Sequence, residues 1–206
     1  VTQFAHLVIG FDLDMTLIDS RPGVAHTFEA LNRLLGTSIP GDQLSEQLGP
    51  TLETVLADYF PPEEIEGVCD QFRSIYADLG PKGSSLLPGA LEAFEAVEAA
   101  GGKNLVITAK FEPNAHRCLD AVGLRAAHVV GWRHGPAKAD ALIEHSALAY
   151  VGDTPPDMHA ALVAGITAMG VATGPWSANE LMGEGANFVM ASLLEFPERL
   201  NALLSS

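Results

Sequence analysis

Asp12 and Asp14 stand two residues apart at the end of an apolar run from Ala5 to Phe11. In an extended chain, side chains at this spacing point to the same side, so the pair presents two carboxylates together. Close carboxylates repel, and they need a cation between them, a shared proton or separate tasks. A strand that ends in a solvated acidic turn is the plainer alternative. Other positions could join the pair. Thr108 closes a second apolar run (LVITAK), Lys138 lies at the start of a helical pattern (GPAKADAL), and Asp153 and Asp157 sit in a GDTPPD segment behind a further apolar run. Each also has a plainer reading. The Thr108 hydroxyl can bond the backbone at a strand end, Lys138 can be solvated, and Asp157 can be a helix-start carboxylate favoured by the dipole. Lys110, just beyond Thr108, competes with Lys138 for the role of cation. Arg21 either touches a substrate or pairs with a surface acid.

The elements that must position these groups follow from hydrophobic pattern. Ala5 to Phe11 reads as a strand buried on both faces. Similar runs recur at Lys103 to Thr108, His128 to Gly131, Leu148 to Gly152, Ile166 to Val171 and Phe188 to Met190. Between them lie helical patterns at Ala90 to Ala100, Pro113 to Val122, Ala137 to His145 and Asp157 to Ala164, and another follows at Leu193 to Leu204. Helix, glycine and buried strand in succession predict an α/β fold, a doubly wound parallel sheet with helices on both faces. Candidate chemistry then falls at strand carboxyl ends, where open α/β sheets place their ligands.

Residues 20–87 break this rhythm with helical patterns and no convincing buried strand. They predict an inserted α-helical unit, with residues 1–19 and 88–206 as the α/β core. Ser20 is placed to cap a first helix carrying Pro22 in its first turn. Further helices are expected at Leu52 to Tyr59 and Glu63 to Leu79, and the Gly/Pro/Ser-rich segment Gly80 to Gly89 reads as a linker back to the core.

Composition narrows the partners. With 11 basic against 26 acidic residues the formal charge is −15, which repels nucleic acid and anionic membranes. An anionic substrate must be held by a metal ion and a few local cations. Cys69 and Cys118 are far apart and form neither a disulfide framework nor a zinc signature. No run approaches the roughly 18 apolar residues of a membrane span and no secretory leader is evident, so a cytoplasmic setting is expected. His116, His134, His145 and His159 are scattered without ligand spacing, and Trp132 and Trp176 either line a cleft or, the plainer reading, pack in the core or at its rim.

Taken in order, these motifs resemble the haloacid dehalogenase superfamily. Its DxDxT motif is matched by Asp12, Asp14 and Thr16, and its later motifs by Thr108, by Lys138 and by Asp153 with Asp157. The insertion resembles the family's helical cap. The resemblance implies a magnesium-dependent phosphatase in which Asp12 attacks phosphorus and Asp14 serves as general acid and then base. Mg2+ would be held by Asp12, the main-chain carbonyl of Asp14 and Asp153, with Asp157 orienting metal-bound water or Lys138. Thr108, Ala109 and Lys138 would contact the phosphoryl group, and Arg21 would reach substrate from the hinge. Met15 stands where the first motif commonly has glycine, and Ala109 where many relatives have asparagine.

Asp14 argues against a dehalogenase, which needs no proton for a leaving alkoxide, and Thr16 favours hydrolysis over a phosphomutase. A phosphorylatable signalling receiver would need neither a cap nor a chain this long, while a phosphomutase and a catalytically silent binding protein stay as the alternatives, the latter set against the intact pair Asp12 and Asp14. The expected partner is a small phosphorylated metabolite such as phosphoglycolate, a sugar phosphate or a nucleoside monophosphate. Leu48 to Thr51 resembles a cap loop of phosphoglycolate phosphatase-like relatives. A monomer or homodimer is expected, without nucleic acid or membrane.

Overall fold

The computed structural model describes residues 7–205. Six parallel strands form the central sheet: β1 (Val8–Phe11), β4 (Lys103–Ile107), β5 (His128–Val130), β6 (Ala149–Gly152), β7 (Thr167–Val171) and β8 (Phe188–Met190). Their spatial order is β5-β4-β1-β6-β7-β8. The chain therefore moves outward from β1 to β5, then returns to the other side of β1. At this reversal the carboxyl ends of β1, β4 and β6 open a crevice. The apolar sequence of β1 is explained by its full burial between neighbours on both sides. The first two residues expected in that strand, 5 and 6, lie outside the described residues.

Helices α5 (Ala90–Ala99), α6 (Glu112–Val122), α7 (Pro136–Glu144), α8 (Pro155–Ala164), α9 (Ala178–Gly183) and α10 (Phe196–Ser205) cover the sheet. One face of the sheet packs Phe11 against Phe94 and Phe196, with ring centroids 5.3 Å apart in each pair. The opposite face packs Leu105, Ile107, Leu142, Tyr150 and Met158. Two elements escaped the sequence pattern. Helix α9 is one short turn-and-a-half opened by Ser177 and Glu180, and Leu193–Glu195 is a 3-10 turn ahead of α10 rather than its first residues.

Between β1 and α5 the chain forms α1 (Arg21–Leu35), α2 (Gly41–Ser45), α3 (Leu52–Leu56) and α4 (Pro62–Lys82). It leaves and re-enters the core through two short antiparallel strands, β2 (Ile18–Asp19) and β3 (Ser85–Leu86). The expected linker from Gly80 needs correction, because α4 runs on through Pro81 to Lys82. The glycines that read as punctuation are instead a helix crossing. A Cβ on Gly23 of α1 would meet the Gly80 carbonyl at 2.7 Å, and one on Gly83 would meet the Gly23 nitrogen at 2.4 Å. The helices touch backbone to backbone here, and Pro81 forfeits one hydrogen bond only in the last turn.

Candidate active site

The residues singled out at the strand ends converge. Asp12 directly follows β1 and its N–H donates to the Val151 carbonyl at 2.8 Å, which fixes it against β6. Lys138, in the first turn of α7, is buried and points at the same spot. Its Nζ lies 2.7 Å from Asp12 Oδ1 and 2.6 Å from Asp157 Oδ1. Asp157, in the first turn of α8, uses its other oxygen to accept from the Thr154 N–H at 3.1 Å and the Thr154 hydroxyl at 2.6 Å. Asp157 thus stands at a helix start and bonds Lys138 at the same time. Gly152 makes the approach feasible, since a Cβ there would meet Asp157 Cγ at 2.4 Å.

Asp153 lies beside them, 1% exposed, and accepts a hydrogen bond from Thr16 Oγ1 at 3.0 Å. Carboxylate oxygens of Asp12, Asp153 and Asp157 come within 4.8 Å of one another. Three buried carboxylates thus share one ammonium. Burial pushes the Asp12 carboxyl up to about 7, with Asp157 and Asp14 adding to the rise and Lys138 opposing it. Asp153 is likewise held well above the ordinary carboxylate range, first by burial and then by Asp12 and Asp157. Such a cluster is short of positive charge, and its hard oxygen donors fit a divalent cation.

Asp14 is set apart from that cluster. Its carboxylate receives the Ser20 hydroxyl and, at 2.8 Å, Lys110 Nζ. Ser20 thus stands at the first residue before α1, as expected, but its side chain makes no cap and reaches the aspartate instead. Lys110 also donates to Tyr76 Oη of α4 at 2.8 Å, tying Asp14 to the inserted helices. The competition between lysines resolves into two places: Lys138 against Asp12, and Lys110 against Asp14. Met15, directly after Asp14, has φ 60°, which explains the glycine common at that position.

Thr108 directly follows β4, lines the cleft, and accepts the Lys110 N–H at 3.1 Å. Ala109 lines the cleft as well. Arg21 does not join them. Its guanidinium forks onto Asp19 at 2.7 Å and reaches Glu46 at 3.0 Å, and it stands outside the cleft lining. Neighbouring acids occupy it, the plainer of its two expectations. Of the two readings of Trp132, the structure has it on the cleft, 57% exposed and with φ 53°. Sequence reasoning missed Tyr76 and Thr154. A Tyr in an amphipathic helix carries no signal of its partner, whereas Thr154, three before Asp157, carries a helix-start pattern.

Comparison with known proteins agrees with this geometry. The family model described as haloacid dehalogenase-like hydrolase matches residues 9–130, and the chain belongs to that family. A hydrolase of the haloacid dehalogenase-like family from Streptococcus pneumoniae superposes with TM-score 0.81 at 22% identity, covering 95% of this chain and 99% of that one. A structure described as a predicted phosphoglycolate phosphatase from Haemophilus somnus gives TM-score 0.79 at 23% identity, covering 97% and 99%. At these identities the likeness is one of fold. In sequence, the tyrosine-protein kinase PtkA of Mycobacterium tuberculosis is 31% identical over 115 residues, 55% of this chain and 40% of that protein. The matched stretch thus spans well under half of the curated relative.

Proposed function

We propose that this protein is a magnesium-dependent phosphatase that hydrolyses a small phosphomonoester through an aspartyl phosphate on Asp12. The observation that carries the reading is the buried Asp12 held against Lys138 with Asp153 and Asp157 alongside. Asp12 attacks phosphorus and the bond to the ester oxygen breaks. Asp14, protonated, gives its proton to that leaving oxygen. A water then attacks the aspartyl phosphate while Asp14 takes back a proton, releasing inorganic phosphate and restoring Asp12. Lys138 and the Thr108 hydroxyl face the phosphoryl oxygens, and Lys138 keeps Asp12 oriented. Asp12, Asp153 and the Asp14 main-chain carbonyl would hold Mg2+, which when bound supplies the charge that lets a carboxylate approach a phosphate dianion. Asp157 holds Lys138 rather than the ion, because both its oxygens are engaged.

The protein acts as a monomer or homodimer on a phosphorylated metabolite. The free, buried Cys69 and Cys118 fit a cytoplasmic setting. Among the described residues no helix is long and apolar enough to cross a membrane. A second reading, transfer of the phosphoryl group from Asp12 to an acceptor hydroxyl instead of water, is favoured by the name of the mycobacterial relative.

The test is phosphate release from p-nitrophenyl phosphate and a panel of metabolite monophosphates, with magnesium and then with excess chelator. Release that stops on chelation supports the reading. No release from folded protein, or a phosphorylated acceptor in place of free phosphate, overturns it. Asp14→Asn is expected to slow alkyl esters by about 100-fold, and p-nitrophenyl phosphate less, because its leaving group needs no proton.

A further inference from the structure

The cleft above Asp12 has a volume of about 730 Å3 and runs from the strand ends up between α1, α3 and α4. Its two ends differ in chemistry. The upper wall is built from Phe28, Leu48, Leu52, Val55, Ile65 and Phe72, all of which also belong to or pack on the main hydrophobic cluster. At the mouth, Trp132 packs on Phe111 with centroids 5.0 Å apart. A large aromatic side chain 57% exposed, on a backbone in the left-handed region, is held there against both solvation and local strain.

A second anionic group on the substrate would need a cation in this upper part. Each Lys and Arg that lines the cleft is already bound to carboxylates. Lys138 is held by Asp12 and Asp157, and Lys110 by Asp14 with Tyr76. Arg73 is held by Glu53 and by Asp70 at 3.0 Å, with its guanidinium carbon 5.4 Å from the Trp132 ring centroid. Arg21 is outside, on Asp19 and Glu46. Glu53 and Glu66 add negative charge to the lining, and the remaining basic side chain, His134, is an exposed residue. A carboxylate or second phosphate entering here would lose its hydration to apolar walls and gain no counter-charge.

Resting on the phosphatase reading for the position of the phosphoryl group, we propose that the substrate is a monophosphate ester of an uncharged, apolar alcohol of at least aromatic-ring size. Its phosphoryl group sits over Asp12. Its apolar body fills the space under Phe28, Val55 and Phe72 and passes Trp132 at the mouth. Phosphoglycolate and bisphosphates are excluded by the same walls. The volume lies within the roughly 300–1,000 Å3 of sites that enclose drug-sized ligands, far more than a two-carbon acid fills.

Two phosphonates that differ only at the far end provide the test: 2-phenylethylphosphonate and 2-carboxyethylphosphonate. Titration calorimetry with the full chain and magnesium at pH 8, where unperturbed imidazole is neutral, reads binding apart from turnover. The phenyl compound is expected to bind at least about tenfold more tightly, with a negative heat-capacity change from buried apolar surface. Leu48→Arg, which adds a cation to the wall, is expected to narrow or invert that ratio. Trp132→Ala is expected to weaken the phenyl compound alone, and thermal melting of both variants checks the fold. Equal affinities in the native protein, including no measurable binding of either, or tighter binding of the carboxyethyl compound, overturn the proposal. So does a ratio unchanged in both folded variants. A protein that prefers the phenyl compound yet releases phosphate from no ester keeps this inference and loses the phosphatase reading. Phosphate release with a preference for the carboxyethyl compound does the reverse.

Discussion

The floor and the roof of the cleft are built on opposite principles. On the floor, ionisable groups are buried or half-buried and each is fixed by particular partners: Lys138 by two aspartates, Asp153 by Thr16, Asp14 by Ser20 and Lys110. In the roof, Phe28, Phe72 and Tyr76 stack in a row, with Phe28 and Phe72 centroids 4.8 Å apart, and nothing polar is aimed inward from them except the Tyr76 hydroxyl on Lys110. Specific chemistry requires specific atoms at fixed spacing, whereas apolar enclosure requires only bulk and shape. A floor residue therefore has few tolerable replacements, and a roof residue has many.

The comparison breaks first at Asp12. Asp12→Asn is expected to lower turnover by about four orders of magnitude or more while the phosphonate preference set by the roof survives. Normal turnover in the pure variant would end the covalent mechanism. Lys138→Met tests whether the floor is held by mutual pairing. Removing the ammonium leaves Asp12 and Asp157 buried without it, which costs about 3–5 kcal/mol, read as a lower midpoint in urea. A variant as stable as the native protein would show that the pairing is dispensable.

The third expectation is smaller and concerns pH. A carboxyl whose folded value is raised contributes stability that is full below the unfolded value of 3.8 and lost as pH rises through about 7. Asp153 shifts in the same direction, and Lys138, raised above its ordinary range, stays protonated throughout that window. Without divalent metal, melting temperature is expected to fall between pH 5 and 7.5. Added magnesium is expected to raise it by about 2 °C or more beyond its effect at pH 5. Equal gains at both pH values would separate the aspartate cluster from metal binding. The roof carboxylates Glu53 and Glu66 stand outside this cluster, so variants of the apolar roof residues leave this dependence alone.

The same contrast explains what could be read from sequence. Strand positions were legible because β1, β4 and β6 are buried on both faces and leave nearly unbroken apolar runs. The floor was legible because Asp12, Asp14, Thr108, Lys138 and Asp153 close those runs or stand at helix starts. The partner of Ser20 was not, since a hydroxyl before a helix looks the same whether it caps or turns back to Asp14. Lys110 was seen as a rival to Lys138 because nothing local reveals that Tyr76, 34 residues earlier, would share it with Asp14. Gly80 and Gly83 were read as punctuation because composition does not distinguish a loop from a backbone-to-backbone crossing with Gly23. Of the cleft wall only the loop Leu48 to Thr51 was legible, and it does line the space. Val55, Ile65 and Phe72 follow the spacing of any buried helix face, and only the fold shows that they border a space.

The paired strands β2 and β3 bring the outgoing and returning chain side by side, with Ile18 opposite Leu86 and Asp19 opposite Ser85. The two ends of a 65-residue excursion, Asp19 to Ser85, are thereby already joined as a hairpin without its turn. A tight two-residue loop could close that hairpin and excise the four helices without rerouting the sheet. The same excision would remove Ser20 and Tyr76, which hold Asp14 and Lys110, so a roof exchanged at this doorway has to supply a hydroxyl for each.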